Sequence, residues 1–288
     1  MIRSAAALFL AASLLGGCRE STPSAPAAAP ALAAVPAAPA AVSVVPARPA
    51  APSETIFMQA VFGAAYRAAG NFAYAELPDP EQPGTRSFYV IKPVQHSLLK
   101  NGDAVLVGNG ENGSEDGSTD SGHGNGGLLN VFILRQTGGQ WKVLRRHENI
   151  ATLGSHGQLG DVAWPELAAG KPGLAVISGG TWQGYTVASL SLFDLGAERM
   201  QELANIRLHS DSLGACDPET ERKCWEVDGE WRFDPSARGA RFDDLVITFR
   251  GQETVGKAKP TPIEGSARYA FDGRRYVLAE GENLVPQP

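Results

Sequence analysis

Past Gly70 the chain is a succession of short aliphatic, β-branched and aromatic runs broken by Gly, Asp and Pro, the pattern of strands and turns. Three of these runs recur at one interval. Residues 103–107 (DAVLV), 173–177 (GLAVI) and 243–247 (DDLVI) start seventy residues apart. Each leads through a glycine-rich stretch to a second apolar run, at 129–134, 188–195 and 267–271. A third follows a tight turn, at 140–144, 202–208 and 275–278. The stretches Leu153-Gly-Ser-His-Gly157 and Leu213-Gly-Ala-Cys216, ahead of the second and third units, echo one another, and residues 87–92 supply a leading strand. Before all of this, Phe57, Val61, Ala65 and Ala68 fall on one face at helical spacing. They predict a single helix from Glu54 to about residue 69, with Ser53 as its N-cap and Gly70 as its stop.

The expected fold is therefore mainly β. Units of three or four antiparallel strands at this period suggest blade-like sheets, in a partial or complete β-propeller-like arrangement, because radial repetition protects the strand edges. A β-sandwich is the alternative. In the second unit, Ala169-Gly-Lys-Pro-Gly-Leu-Ala-Val-Ile177 resembles the strand entry of FG-GAP-type propeller repeats. Those repeats carry a calcium-binding Asp cluster just before that strand. Here Asp161 is displaced and Gly170-Lys171-Pro172 brings no carboxylate, so the resemblance bears on fold rather than on a metal.

The first residues read differently. Arg3, the apolar run 5–15 and the small pair Gly16-Gly17 make the three parts of a secretory signal over 1–17, too short to span a bilayer. Leu15-Gly16-Gly17-Cys18 resembles the lipobox of bacterial lipoproteins. That resemblance implies acylation of Cys18, palmitate included, and, with Arg19 following, an outer-membrane, periplasm-facing address. Between Arg19 and Pro52, 14 of 34 residues are Ala and 8 are Pro. Prolines at that density forbid a long helix, so residues 18–52 read as a lipid-anchored, semi-rigid tether ahead of a domain at 53–288.

Composition adds exclusions. With 43% hydrophobic and 19% charged residues the chain is neither disordered throughout nor a polytopic membrane protein. A net charge of −6 without a basic run argues against nucleic acid as a partner. Cys216 and Cys224, close together in a turn-rich segment, are expected to form a disulfide in an oxidising compartment. The five histidines, His96, His123, His147, His156 and His209, show no ligand spacing, and no nucleophile elbow, zincin or phosphate-loop motif occurs.

Two segments stand out. In the loop 108–127, Asn112, Ser114, Asp116 and Asp120 match the opening of a calcium loop, with Gly117 at the sixth place, but His123 stands where a bidentate glutamate belongs. A solvated loop without a cofactor is the preferred reading. The glycine-rich stretch from Ser178 to Tyr185 presents Trp182 and Tyr185, residue types that anchor binding interfaces unless they fold back into the core. It resembles tyrosine-bearing loops of bacterial periplasmic lysozyme-inhibitor proteins, which implies an inhibitor or immunity protein against a peptidoglycan-degrading enzyme. The function expected is thus binding of an envelope protein, peptidoglycan or glycan, without catalysis. Its rivals are a carboxylate-dependent envelope hydrolase using Asp243, Asp244 or His156, and a structural lipoprotein.

Overall fold

The computed structural model describes residues 53–236 and 239–288. The signal, Cys18 and the tether at 18–52 lie outside the described residues. The protein is mainly β and antiparallel, with one short helix.

Helix α1 (Glu54–Phe62) buries Phe57, Met58, Val61 and Phe62. It is shorter than its apolar spacing predicts. Gly63 ends it at a positive φ of 53°, with its amide returned to the carbonyl of Gln59, and two 3-10 turns carry the chain on to Gly70. Ser53 holds the N-cap position in extended backbone, but its side chain makes no capping bond.

Two sheets follow. The first contains β1 (Tyr66–Arg67), β2 (Phe72–Pro78), β3 (Arg86–Leu98), β4 (Ala104–Asn112), β5 (Gly127–Thr137) and β6 (Gln140–His147) in sequence order, with β7 (Thr152–Leu153) paired to β5. The second runs from β8 (Asp161–Ala163) through β10 (Lys171–Trp182), β11 (Tyr185–Asp194), β12 (Glu202–Asp211), β13 (Lys223–Asp234), β14 (Asp244–Val255) and β15 (Thr261–Phe271) to β16 (Tyr276–Gly281), with β9 (Glu166–Ala168) also on β10.

The seventy-residue repeat is visible as three meanders, β4-β5-β6, β10-β11-β12 and β14-β15-β16. The units are not separate sheets, however. β13, which has no counterpart in the repeat, joins the second and third into one sheet, whereas blades would each stand alone.

Burial explains why the repeated runs lack polar alternation. One face of β4 and β5, with Ala104, Leu106, Phe132 and Leu134, packs under α1. The other, with Val105, Val107, Leu129, Val131 and Ile133, meets Leu174, Val176 and Phe193 of the second sheet. Each such aliphatic side chain contributes about 1.5–3 kcal/mol relative to exposure. The far face of the second sheet gathers Ala175 of β10, Val227 of β13, Ile247 of β14 and Tyr276 of β16 into one cluster. Strands about 4.8 Å apart would spread a flat sheet of this size over roughly 35 Å, so a common cluster requires the sheet to curl. The chain after β16 turns into that curl: Asn283 donates to the carbonyl of Arg207 (3.0 Å), and Val285 is buried.

Polar locks hold the strand heads. Arg135 of β5 forks onto Asp103 (2.7 and 2.8 Å), and its hydrogen bonds keep that carboxyl below the usual aspartate range. In the third unit Arg268 of β15 bridges two carboxylates instead, donating once to Asp244 and once to Asp234 (both 3.2 Å).

β12 and β13 pair only at His209–Asp211. There His209 lies between Asp228 (2.8 Å) and Asp211 (3.1 Å). Burial opposes its charge, but the hydrogen bonds to Asp228 and Asp211 outweigh that and raise the imidazole above 6.5, while Asp211 is lowered from 3.8. A raised histidine stabilises below its unfolded value and loses that contribution as pH rises through its folded one. A lowered aspartate loses its contribution as pH falls. The stability deficit of His209→Gln is therefore expected to be greatest between about pH 4 and 6, at roughly 1–3 kcal/mol, and to shrink at alkaline pH. Urea midpoints of both proteins across pH measure it; a deficit that grows with pH contradicts the clamp.

Candidate functional site

The stretch from Ser178 to Tyr185 is a hairpin rather than a glycine loop. Ser178 to Trp182 pair with Tyr185 to Ser189, leaving a two-residue turn, Gln183 (φ 50°) and Gly184 (φ 85°). Positive φ at both places is the turn that matches strand twist. The glycines serve packing. A Cβ on Gly179 would fall 1.9 Å from the carbonyl oxygen of Val187, and one on Gly180 would fall 2.5 Å from the Trp182 ring. The indole therefore lies across Gly180 and remains 38% exposed. Tyr185 is half-buried, tilted against Trp225 at 5.7 Å, and Ser178 is buried in the strand.

Both flanks of the tip are braced. On one side Gly184 touches Gly214 so closely that a Cβ on Gly214 would come within 2.7 Å of it. That turn leads into the disulfide Cys216–Cys224, whose Cα atoms are 5.5 Å apart. Ser212 and Ser210 accept hydrogen bonds from the Trp225 amide and indole (both 2.9 Å), fixing the second ring. On the other side stand two loops that start from the first sheet. His123 packs at 5.5 Å from Trp182 and at 4.4 Å from His156. Ser155 donates to the Gly179 carbonyl (3.0 Å), tying its loop to the hairpin. Sequence spacing could not show this meeting, because it joins three loops distant along the chain.

The proposed calcium ligands fall in different places. Residues 113–119 close as a small antiparallel turn, and the Asp116 carboxylate turns back onto Ser118, accepting from its amide (2.9 Å) and hydroxyl (2.6 Å). Those bonds lower its pKa. Ser114 uses its amide within the same turn. Asn112 and Asp120 instead line a pocket of about 310 Å³, together with Asp79, Glu81 and Glu111. Among the described residues no three His, Cys, Asp or Glu side chains are placed to hold one metal ion. Glu111 is the buried carboxylate of that pocket, bonded by Ser121 (2.8 Å) with Lys92 at 3.9 Å. Sequence reading passed over Asp79 and Glu81, which enter from the β2–β3 turn.

The acidic pair considered for catalysis is engaged in structure. Asp244 holds Arg268, while the backbone of Asp243 bonds to Leu167 and accepts from the Tyr276 hydroxyl (3.0 Å). Among the described residues no helix is long and apolar enough to cross a membrane. No protein-family model, curated protein or solved structure matches the chain.

Because the disulfide backs the hairpin tip, replacing both cysteines by serine is expected to cost about 2–3 kcal/mol and to loosen the tip as well. Denaturant midpoints measure the first effect, and amide exchange at Gln183 and Gly184 the second. Unchanged exchange would show that the turn 213–215 does not support the hairpin.

Proposed function

We propose that this protein is a lipid-anchored, periplasm-facing envelope protein that works by binding, with Trp182 as its principal anchor and Tyr185 beside it. The observation that carries the reading is the exposed indole next to a two-residue turn braced from both sides. Large stiff rings in fixed positions lose little entropy on association, and rigid presentation favours affinity. The partner is an envelope protein or a peptidoglycan glycan; the sharper form is inhibition of a peptidoglycan-degrading enzyme, which the likeness of the tip to lysozyme-inhibitor loops supports. The scaffold beneath we read as two sheets packed face to face, closer to a β-sandwich than to propeller blades. Membrane attachment is through Cys18, with the Ala/Pro tract as spacer.

The binding reading is tested by comparing the protein with its Trp182→Ala and Tyr185→Ala variants. Capture of envelope proteins and of purified peptidoglycan is measured beside denaturant midpoints. We expect capture to weaken about thirtyfold, on the order of 2 kcal/mol, with the midpoint for Trp182→Ala nearly unchanged. A large fall in midpoint with undiminished capture by the folded fraction would return both rings to a structural role.

Anchoring is tested separately. Cys18→Ser is expected to abolish partition into the detergent phase, since the thiol is the acylated atom. Partition that survives the change removes the lipid anchor from the proposal.

A further inference from the structure

We propose that His123 and His156 form a two-imidazole site for a divalent transition-metal ion, copper(II) or zinc(II), on the rim beside Trp182. The ring centroids are 4.4 Å apart with planes inclined by 36°. Imidazole nitrogens bind such ions at about 2.0–2.1 Å, which sets the centroids of two neighbouring ligands roughly 4.5–5 Å apart. The pair thus already stands near the spacing a shared ion imposes.

Neither imidazole makes a side-chain hydrogen bond or ion pair within the described residues; the rings pack against each other, and that of His123 also lies against Trp182. Their ring nitrogens are consequently uncommitted, and both side chains are exposed, so they can turn toward an ion without breaking a bond. The main chain around them is the reverse, firmly held. The His156 amide donates to the His123 carbonyl (3.3 Å), Gly157 donates to Asn125 (2.8 Å), and Asn109 donates to Gly157 (2.6 Å). His156 (φ 51°) and Gly157 (φ 72°) are the two central residues of a tight turn closed between Ser155 and Gln158, which fixes where the imidazole leaves the backbone.

Two further facts fit a cation. The loop bearing His123 also walls the pocket lined by Asp79, Glu81, Glu111 and Asp120, of which Glu111 lies 3.9 Å from Lys92. Their field draws cations to the rim. The donor type then selects among them. Imidazole suits copper, zinc and nickel rather than calcium or magnesium, so this site differs in kind from a calcium loop in the same segment. With two protein ligands, the remaining positions are open to water or to a donor from a partner. A dissociation constant on the order of 1–100 µM is expected, well short of a closed four-ligand site.

The test titrates copper(II) and zinc(II) separately into the full-length, chelator-stripped protein. One ion should bind, copper more tightly than zinc, and His123→Ala and His156→Ala should each weaken it at least tenfold, with His96→Ala without effect. Bound copper should quench the emission of Trp182, whose ring is 5.5 Å from that of His123. Trp182→Phe should remove that quenching while the ion still binds. In the unaltered protein, substoichiometric copper should broaden the ring signals of His123 and His156 before those of His96, His147 and His209, a measurement that needs no variant to fold. No binding below about 1 mM, dependence on only one of the two histidines, or earlier broadening at the other three would each overturn the site.

Discussion

Everything in this fold depends on covering β4 and β5 on both faces. The apolar side chains of residues 104–107 and 128–134 are alternately enclosed under α1 and against the second sheet, while loops cover Asn109 and Glu111 at the end of β4. An isolated sheet cannot do this, and a helix on one side alone would leave Val105, Val107, Val131 and Ile133 in water. The second sheet is therefore a requirement of the first. It is held at the height where Leu174, Val176 and Phe193 complete that layer.

The candidate site is a by-product of this packing. Once the two sheets share one core, the loop joining β4 to β5 and the loop after β7 come beside the β10–β11 turn. His123, His156 and Trp182 then meet although the first and the last are 59 positions apart in the chain. Glycines make the approach feasible. Gly180 admits the indole, Gly157 sits where any side chain would strike Glu111 or Ser121, and Gly184 admits the turn behind it. The composition of these segments reflects close backbone approach more than looseness.

Much of the local structure was legible in the sequence. The three meanders follow from the repeated apolar runs, and the disulfide Cys216–Cys224 from cysteine spacing and the turn formers between. What could not be read is what joins parts remote from one another. β13 has an ordinary strand composition and no partner in the repeat, so its role as the bridge between two units carried no local sign. The helix was overestimated because alanines continue its apolar face, while the positive φ of Gly63 that stops it is a backbone property. The hairpin turn was obscured because Gln183 occupies a place where Asn or Gly announces it. The histidine pair was missed since ligand spacing searches look along the chain, and these two residues approach across it.

The small segment after β16 has a consequence for solubility. A sheet that ends in a free strand presents a row of open amides and carbonyls on which a second molecule can template itself. The chain does not stop at that edge: Asn283 caps the Arg207 carbonyl of β12, Leu284 covers Gly265, and Val285 is drawn into the curl. These three residues pack onto the sheet from within, and Glu280 and Glu282 beside them remain exposed. In a sheet built by adding meanders, side chains that fill the space beside the last strand leave less open edge for a second molecule to extend.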